Sequence, residues 1–262
     1  MHPILLEIGK FRIYSYGFML ALSFFIGILL AAKRAEKKGI NPDAIYDLSI
    51  ILIIAAIVGS RGLYILTHRD HFSGILDVIA LWQGGATYYG GMILAVAGAA
   101  VFLKIKKISF LKVADICSPS IGVGIFFTRI GCFLSGCCFG KPTECSMGMV
   151  YPDGSPAGNT FHAIHIHPTQ IYSSFYGLVI FLAIILLERK KWFDGFSFGV
   201  LLILYGISRF IVDTFRFYEE SAHVWKGLID NQLISIVLIV GGIIFLIVRR
   251  RMDASIDPVS RG

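Results

Sequence analysis

Charge is scarce in this chain: Asp, Glu, Lys and Arg make up only 16% of its 262 residues, against 56% hydrophobic, and mean hydropathy is +0.74. That excludes a soluble domain with a large core and indicates a polytopic membrane protein. Acidic residues are the scarcer sign, 17 against 24 basic ones, for a net charge of +7. The excess does not point to nucleic acid, because the basic residues lie in short loops between apolar runs, as membrane orientation requires. Internal repeats, low-complexity tracts and linkers are missing, so 1–262 reads as one domain. No standard zinc spacing links the cysteines and histidines, and no metal site is assigned. A cleaved signal peptide is not expected, since the first apolar run is too long and too closely followed by others.

What is present is a set of seven apolar segments, at about 12–32, 47–66, 86–103, 113–136, 168–187, 196–216 and 231–248. Each is long enough to cross about 30 Å of hydrocarbon as a helix. Basic clusters fall in every second connection: Lys33, Arg34, Lys37 and Lys38; Lys104, Lys106, Lys107 and Lys112; Arg189, Lys190 and Lys191; Arg249, Arg250 and Arg251. The positive-inside rule puts these on the cytoplasmic side, with the N-terminus outside and the C-terminus inside. The expected fold is an all-α seven-helix membrane protein with an extracytoplasmic loop at about 137–167.

That orientation places several polar residues at one depth. Arg61, Arg129, Arg209, Asp213 and Arg216 fall in the outer halves of outward-running helices, Arg129 within roughly 10 Å of the outer surface at 1.5 Å per residue. Tyr14, Tyr16, Tyr89, His167 and Gln170 start their helices from the same side. An intramembrane arginine costs several kcal/mol, so each is a functional candidate unless it is a structural ion pair. The spacing of 209, 213 and 216 predicts one helical face, with Asp213 neutralising part of the charge. Guanidinium is the natural bidentate partner of phosphate, and the ligand expected at that depth is a phospholipid head group.

Two further stretches stand out. Trp82-Gln83-Gly84-Gly85-Ala86-Thr87-Tyr88-Tyr89-Gly90-Gly91 puts four glycines where a helix should begin, which suits either close helix packing or backbone near a ligand. Cys132, Cys137, Cys138 and Cys145 cluster at the outer end, close in sequence to a loop ending in His162, His165 and His167. A disulfide from Cys145 to Cys137 or Cys138, and a zinc or copper site shared with the histidines, are the two structural options. Cys117 reads as a small buried residue. Leu134-Ser135-Gly136-Cys137 spells a lipobox, but it is internal and follows no signal peptide.

Along its whole length the chain resembles the prolipoprotein diacylglyceryl transferase family. The likeness rests on Tyr16-Gly17, Gly59-Ser60-Arg61, Trp82 with Gly84-Gly85 and Gly90-Gly91, and Arg129-Ile130-Gly131-x-Phe133 with Gly140. It continues in His167-Pro168-Thr169-Gln170-Ile171-Tyr172, Tyr205-Gly206-x-x-Arg209-Phe210, Phe215-Arg216 and Gln232-Leu233-Ile234-Ser235-Ile236. The family pattern after the fourth-helix arginine carries Asn, Asn and Glu where this chain has Cys132, Ser135 and Cys137, and a glycine where it has Thr128. The family's histidine before Gly-Gly is Tyr89 here.

The resemblance implies transfer of a diacylglyceryl group from phosphatidylglycerol to the lipobox cysteine of a prolipoprotein signal peptide. It implies a bacterial inner membrane location and no cofactor. Arg129, Arg209, Tyr89, Cys137 and His167 are the expected catalytic residues. Tyr16, Arg61, Gly90, Gly91, Cys132, Gly140, Gln170, Asp213 and Arg216 are the expected substrate-binding residues. The alternatives are a protein that binds or transports anionic phospholipid without transferring it, and a thiol- or metal-handling paralogue.

Overall fold

The computed structural model describes residues 1–9, 11–68, 87–190, 192–218, 223–225 and 227–256; the expectations placed on 82–86 lie outside these. In chain order the elements are β1 (Ile4–Ile8), β2 (Phe11–Tyr14), α1 (Ser15–Lys37), α2 (Pro42–Thr67), α3 (Tyr88–Ile105) and α4 (Phe110–Ser135). They continue with α5 (Pro156–Thr160), α6 (Thr169–Leu187), α7 (Phe196–Phe215), β3 (His223–Trp225), β4 (Leu228–Ile229) and α8 (Asp230–Ile256). Among the described residues, six helices are long and apolar enough to cross a membrane: α1, α2, α4, α6, α7 and α8. The chain is a multi-pass membrane protein. Its remaining long apolar helix, α3, has 18 residues, about 27 Å of rise against about 30 Å of hydrocarbon. Among the described residues two antiparallel hairpins, β1–β2 and β3–β4, accompany the helices, and the sequence pattern does not anticipate them.

Two compact units divide the chain: Ala31–Val113, and Met1–Leu30 together with Ala114–Gly262. In the first, α2 and α3 cross at Gly59 and Gly90, where a Cβ on either would strike the other's carbonyl oxygen. Small residues at a crossing let membrane helices approach backbone to backbone. Thr87 is extended, and both its N–H and its hydroxyl donate to the Ser60 carbonyl at 3.1 Å. That anchor sets where α3 begins, one residue before its helical φ/ψ.

In the second unit, α4 and α6 meet at Gly122 and Gly177. A Cβ on Gly122 would lie 2.9 Å from the Gly177 carbonyl oxygen. Tyr176, Ile180 and Ile184 of α6 form a core with Leu201 and Val212 of α7. The start of α7 is capped from α4: buried Asp115 accepts from the Gly195 and Phe198 N–H groups at 2.7 and 2.9 Å. A helix N-terminus leaves N–H groups without partners, and a carboxylate there satisfies two of them.

The long loop is packed rather than loose. Isolated bridges join Gly140 to Arg216, and Pro142 and Met149 to Ile166. Buried Tyr151, Ala157 and Ile166 form a small core with Phe133, Phe139 and Phe161.

Candidate active site

The site of the second unit is built where α4 ends, α6 begins and α7 ends. Helix α4 stops in a glycine turn: Gly136 has φ +70°, its N–H donates to the Phe133 carbonyl at 3.1 Å, and the Cys137 N–H donates to the Cys132 carbonyl at 3.2 Å. This is the paired closure of a Schellman motif, whose left-handed residue favours glycine. The turn folds Cys137 back over Cys132, placing its Sγ 3.8 Å from the Cys132 carbonyl oxygen. Cys138 follows with φ +62°, unusual without glycine, and turns the chain again. As a result the Sγ atoms of Cys132, Cys137 and Cys138 all lie within 4.8 Å of one another.

The first turn of α6 fixes that loop. Thr169 Oγ1 donates to the Cys138 carbonyl and Gln170 Nε2 to the Cys137 carbonyl, each at 2.8 Å. Tyr151 in turn donates to Gln170 Oε1 at 2.9 Å, so both ends of the Gln170 amide are engaged within the protein. Burial pushes the Tyr151 hydroxyl up to about 12. Cys138 is held below the usual thiol range, because Cys132 and Cys137 can donate to its thiolate and the Arg216 and Arg129 guanidiniums act on it. The same sharing pushes Cys137 above that range.

At the end of α7, Arg209 is 8% exposed and Asp213 2%. They pair one turn apart, Nε to Oδ2 at 3.1 Å. Tyr218 closes the triangle: Arg209 Nη2 donates to its oxygen at 3.0 Å, and it donates to Asp213 Oδ1 at 2.8 Å. Asn231 Nδ2 donates to the same oxygen at 3.3 Å. Burial raises the Tyr218 pKa, keeping that hydroxyl protonated as a donor. Arg209 Nη1 is buried without a hydrogen-bond partner among the described residues, and Arg129, Arg209 and the Ser173 side chain all act on the nearby Tyr176 hydroxyl. Buried polar groups are normally satisfied, so the remaining Arg209 nitrogen is placed to meet a polar group of a ligand. Asp213, Arg216, Tyr218, Lys141 and Gln232 line an adjoining cavity of about 350 Å³, within the range of small-ligand sites.

The structure does not keep 209, 213 and 216 on one helical face. Helix α7 ends at Phe215, and Arg216 is extended, with φ −79° and ψ 143°. Its bridge to Gly140 pulls the backbone out of the helix, and its guanidinium lies 5.1 Å from the centre of the Tyr218 ring. Gly140 fits because a Cβ there would lie 2.5 Å from the His167 carbonyl oxygen and 2.8 Å from that of Phe215.

The expected histidine cluster separates. His162 Nδ1 lies 3.3 Å from Asp153, His165 Nδ1 lies 3.2 Å from the Gly148 carbonyl, and His167 Nδ1 lies 3.2 Å from the Tyr172 hydroxyl, its ring against Phe215. Among the described residues none of them joins the thiols. No disulfide joins the cysteines, and the disulfide option for Cys145 is not realised. Tyr16 is partly exposed, and its backbone passes Gly131, where a Cβ would sit 3.3 Å from Tyr16 Cα.

In the other unit, Arg61 is 7% exposed, with its guanidinium 5.8 Å from the Tyr64 ring centre. Tyr89 is half exposed; Gly90 faces Gly59, and Gly91 lines an apolar groove of about 460 Å³ with Ser60 and Thr87. Sequence reasoning missed Tyr218, Asn231, Tyr151 and the Thr169 hydroxyl. Thr169 lies inside the His167–Tyr172 motif, whereas nothing in the local sequence distinguishes Tyr218 from an interfacial aromatic.

Six apolar helices of membrane-crossing length among the described residues define a multi-pass membrane protein, and guanidinium, carboxylate and phenol groups meet in a buried polar cluster at the end of α7. The sequence profile of the prolipoprotein diacylglyceryl transferase family matches residues 3–248. This chain belongs to that family. It is 34% identical over 243 residues to a phosphatidylglycerol–prolipoprotein diacylglyceryl transferase of Clostridium tetani, covering 93% of this chain and 96% of the relative. It is 33% identical to such a transferase, numbered 2, of Clostridium perfringens, covering 93% and 94%. An Oceanobacillus iheyensis transferase of the same name is 32% identical, covering 95% and 88%.

Proposed function

We propose that this protein transfers a diacylglyceryl group from phosphatidylglycerol to the lipobox cysteine of prolipoproteins. The thiol sulfur bonds to the glyceryl carbon as the carbon–oxygen bond to phosphate breaks, glycerol phosphate leaves, and the thiol proton passes to a base. The full-length likeness to transferases of that name supports the reading. Arg209 carries its chemistry: buried, held on two nitrogens by Asp213 and Tyr218, it keeps Nη1 for a ligand oxygen.

Arg129 and Arg209 stabilise charge building on the leaving phosphate, and Arg216 supports them. Tyr16, Gly140, Gln170, Asp213 and Cys132 shape the substrate pocket of their unit, and the family resemblance gives Arg61, Gly90 and Gly91 of the other unit substrate-binding roles as well. Tyr89, Cys137 and His167 are the candidates for the proton acceptor. Nearby cations favour the attacking thiolate, whose unperturbed pKa is about 8.5. The transfer needs no cofactor. In this reading α3 is a short seventh span, the N-terminus is outside, and the site opens to the outer leaflet of the bacterial inner membrane. The basic clusters in alternate loops support that orientation.

The test is complementation of a bacterium depleted of its own transferase, reading lipid attachment to a lipoprotein. Restored attachment by the parent and none by Arg209→Ala is the expected result. A correctly inserted parent that attaches no lipid overturns the proposal.

A further inference from the structure

We propose that Cys132, Cys137 and Cys138 form a three-thiolate binding site for a soft monovalent cation of the Cu(I) type. The site shares Cys132 and Cys137 with the proposed transfer pocket, but the argument for it does not depend on that reading.

Three features carry the inference. The first is geometry: around one metal ion at the usual thiolate distance of about 2.3 Å, three sulfurs in a plane are roughly 4 Å apart. The three Sγ atoms here already lie within 4.8 Å of one another, so side-chain adjustment alone closes the set.

The second is preorganisation. The loop is not free to spread, because the glycine turn fixes Cys137 against Cys132, and Thr169 and Gln170 hold the next two carbonyls at 2.8 Å. A ligand set already held in place loses little conformational freedom on binding.

The third is donor type and charge. No His, Asp or Glu joins the three sulfurs among the described residues. A pure thiolate set selects soft ions. With three donors it suits Cu(I), whereas Zn(II) takes four ligands in structural sites. Three thiolates around one Cu(I) make a complex of charge 2−, any proton the free thiols carry passing to solvent, and Arg129 and Arg216 both act on Cys138. Cys132 is buried while Cys137 and Cys138 are partly exposed, so an ion enters from the loop side.

The experiment uses the full chain in detergent, reduced and then kept anaerobic. It is titrated with Cu(I) against a chromogenic Cu(I) chelator, and thiols reactive towards a maleimide are counted before and after. The expected result is one Cu(I) retained per chain, with Cys132, Cys137 and Cys138 shielded from the maleimide. Cys145→Ser should bind as the parent does. Cys132→Ser, Cys137→Ser and Cys138→Ser should each weaken retention by about tenfold or more. The thiol count on the unmutated chain tests the site even where a variant folds poorly.

The proposal is overturned if the chelator strips all copper from the parent. It is equally overturned if the triple serine variant retains copper as the parent does. Loss of two of the three thiols in air, with recovery by reductant and no copper uptake by the reduced chain, would identify a disulfide pair instead and also overturn it.

Discussion

The Gln170 side chain, 1% exposed, donates to the Cys137 carbonyl at 2.8 Å, tying the first turn of α6 to the loop that leaves α4. Gln170→Leu keeps the volume and removes both polar ends, leaving the Cys137 carbonyl and the Tyr151 hydroxyl without their partner. Each buried group so orphaned costs about 1–3 kcal/mol. Thermal unfolding in detergent should fall accordingly, and Cys137 and Cys138 should react faster with maleimide. Unchanged thiol reactivity would show that the clamp does not hold the loop.

Tyr151 gives that clamp a pH limit. Its folded pKa, about 12, lies above the ordinary value of 10.0 because burial disfavours the phenolate. The stabilisation is fully present below pH 10 and is lost as pH rises towards 12. Tyr151→Phe cannot ionise, so it should be less stable at neutral pH yet show a flatter decline across that window. A decline as steep as the parent's would assign the alkaline sensitivity to other groups.

The triangle of Arg209, Asp213 and Tyr218 should be sensitive to shape as well as charge. Arg209→Ala should abolish transfer. Arg209→Lys should also be poor, since an ammonium cannot bond Asp213 and Tyr218 while presenting a further fork nitrogen. Tyr218→Phe removes one hydrogen bond to each charged partner and should lower kcat/KM by about tenfold to a hundredfold. Lys106→Ala, at an exposed pair 3.7 Å from Asp47, should leave kcat/KM unchanged. Near-normal turnover by Arg209→Ala in a correctly inserted protein would remove the phosphate role.

Periodicity carried much of this architecture. Apolar run lengths give the helices, and the four-residue spacing of Arg209 and Asp213 announces their pairing. What spacing cannot supply is where a helix stops. Arg216 was read onto the face of α7, but its bridge to Gly140 draws it into extended backbone, a partner 76 residues earlier in the chain. Tyr218 became legible only through that same departure, which turns its hydroxyl back towards the helix. The thiols were read as a disulfide or as partners of the histidines. The glycine turn gathers three of them, while His162, His165 and His167 each bond locally. The hairpins are short, and the one glycine in each turn, Gly9 and Gly227, is too weak a signal to mark them in the sequence.

The proposed orientation has its own test. A reporter active only outside the cytoplasm should work when fused near Asp153 and fail near Lys37. The opposite pattern would invert every depth assigned to the arginines.

The last prediction separates polarity from thiol chemistry at position 137, where the family pattern carries Glu. Three thiols meet here, and a carboxylate in place of Cys137 would stand one residue from Cys138, on which two guanidiniums act. If the side chain supplies a polar or proton-accepting group to the arginine site, Cys137→Glu should transfer within about tenfold of the parent under metal-free, reducing conditions. Cys137→Ala should lose much more, and Cys137→Ser should fall between them, because a hydroxyl is far harder to ionise than a thiol. Cys145→Ser should be neutral, since that cysteine is exposed and free. Cys137→Glu also breaks the three-sulfur set, so Cu(I) that slows the parent should not slow this variant. An inactive Cys137→Glu beside an active Cys137→Ser would mean that the residue only fills space, and the proton acceptor would then have to be sought at Tyr89 or His167.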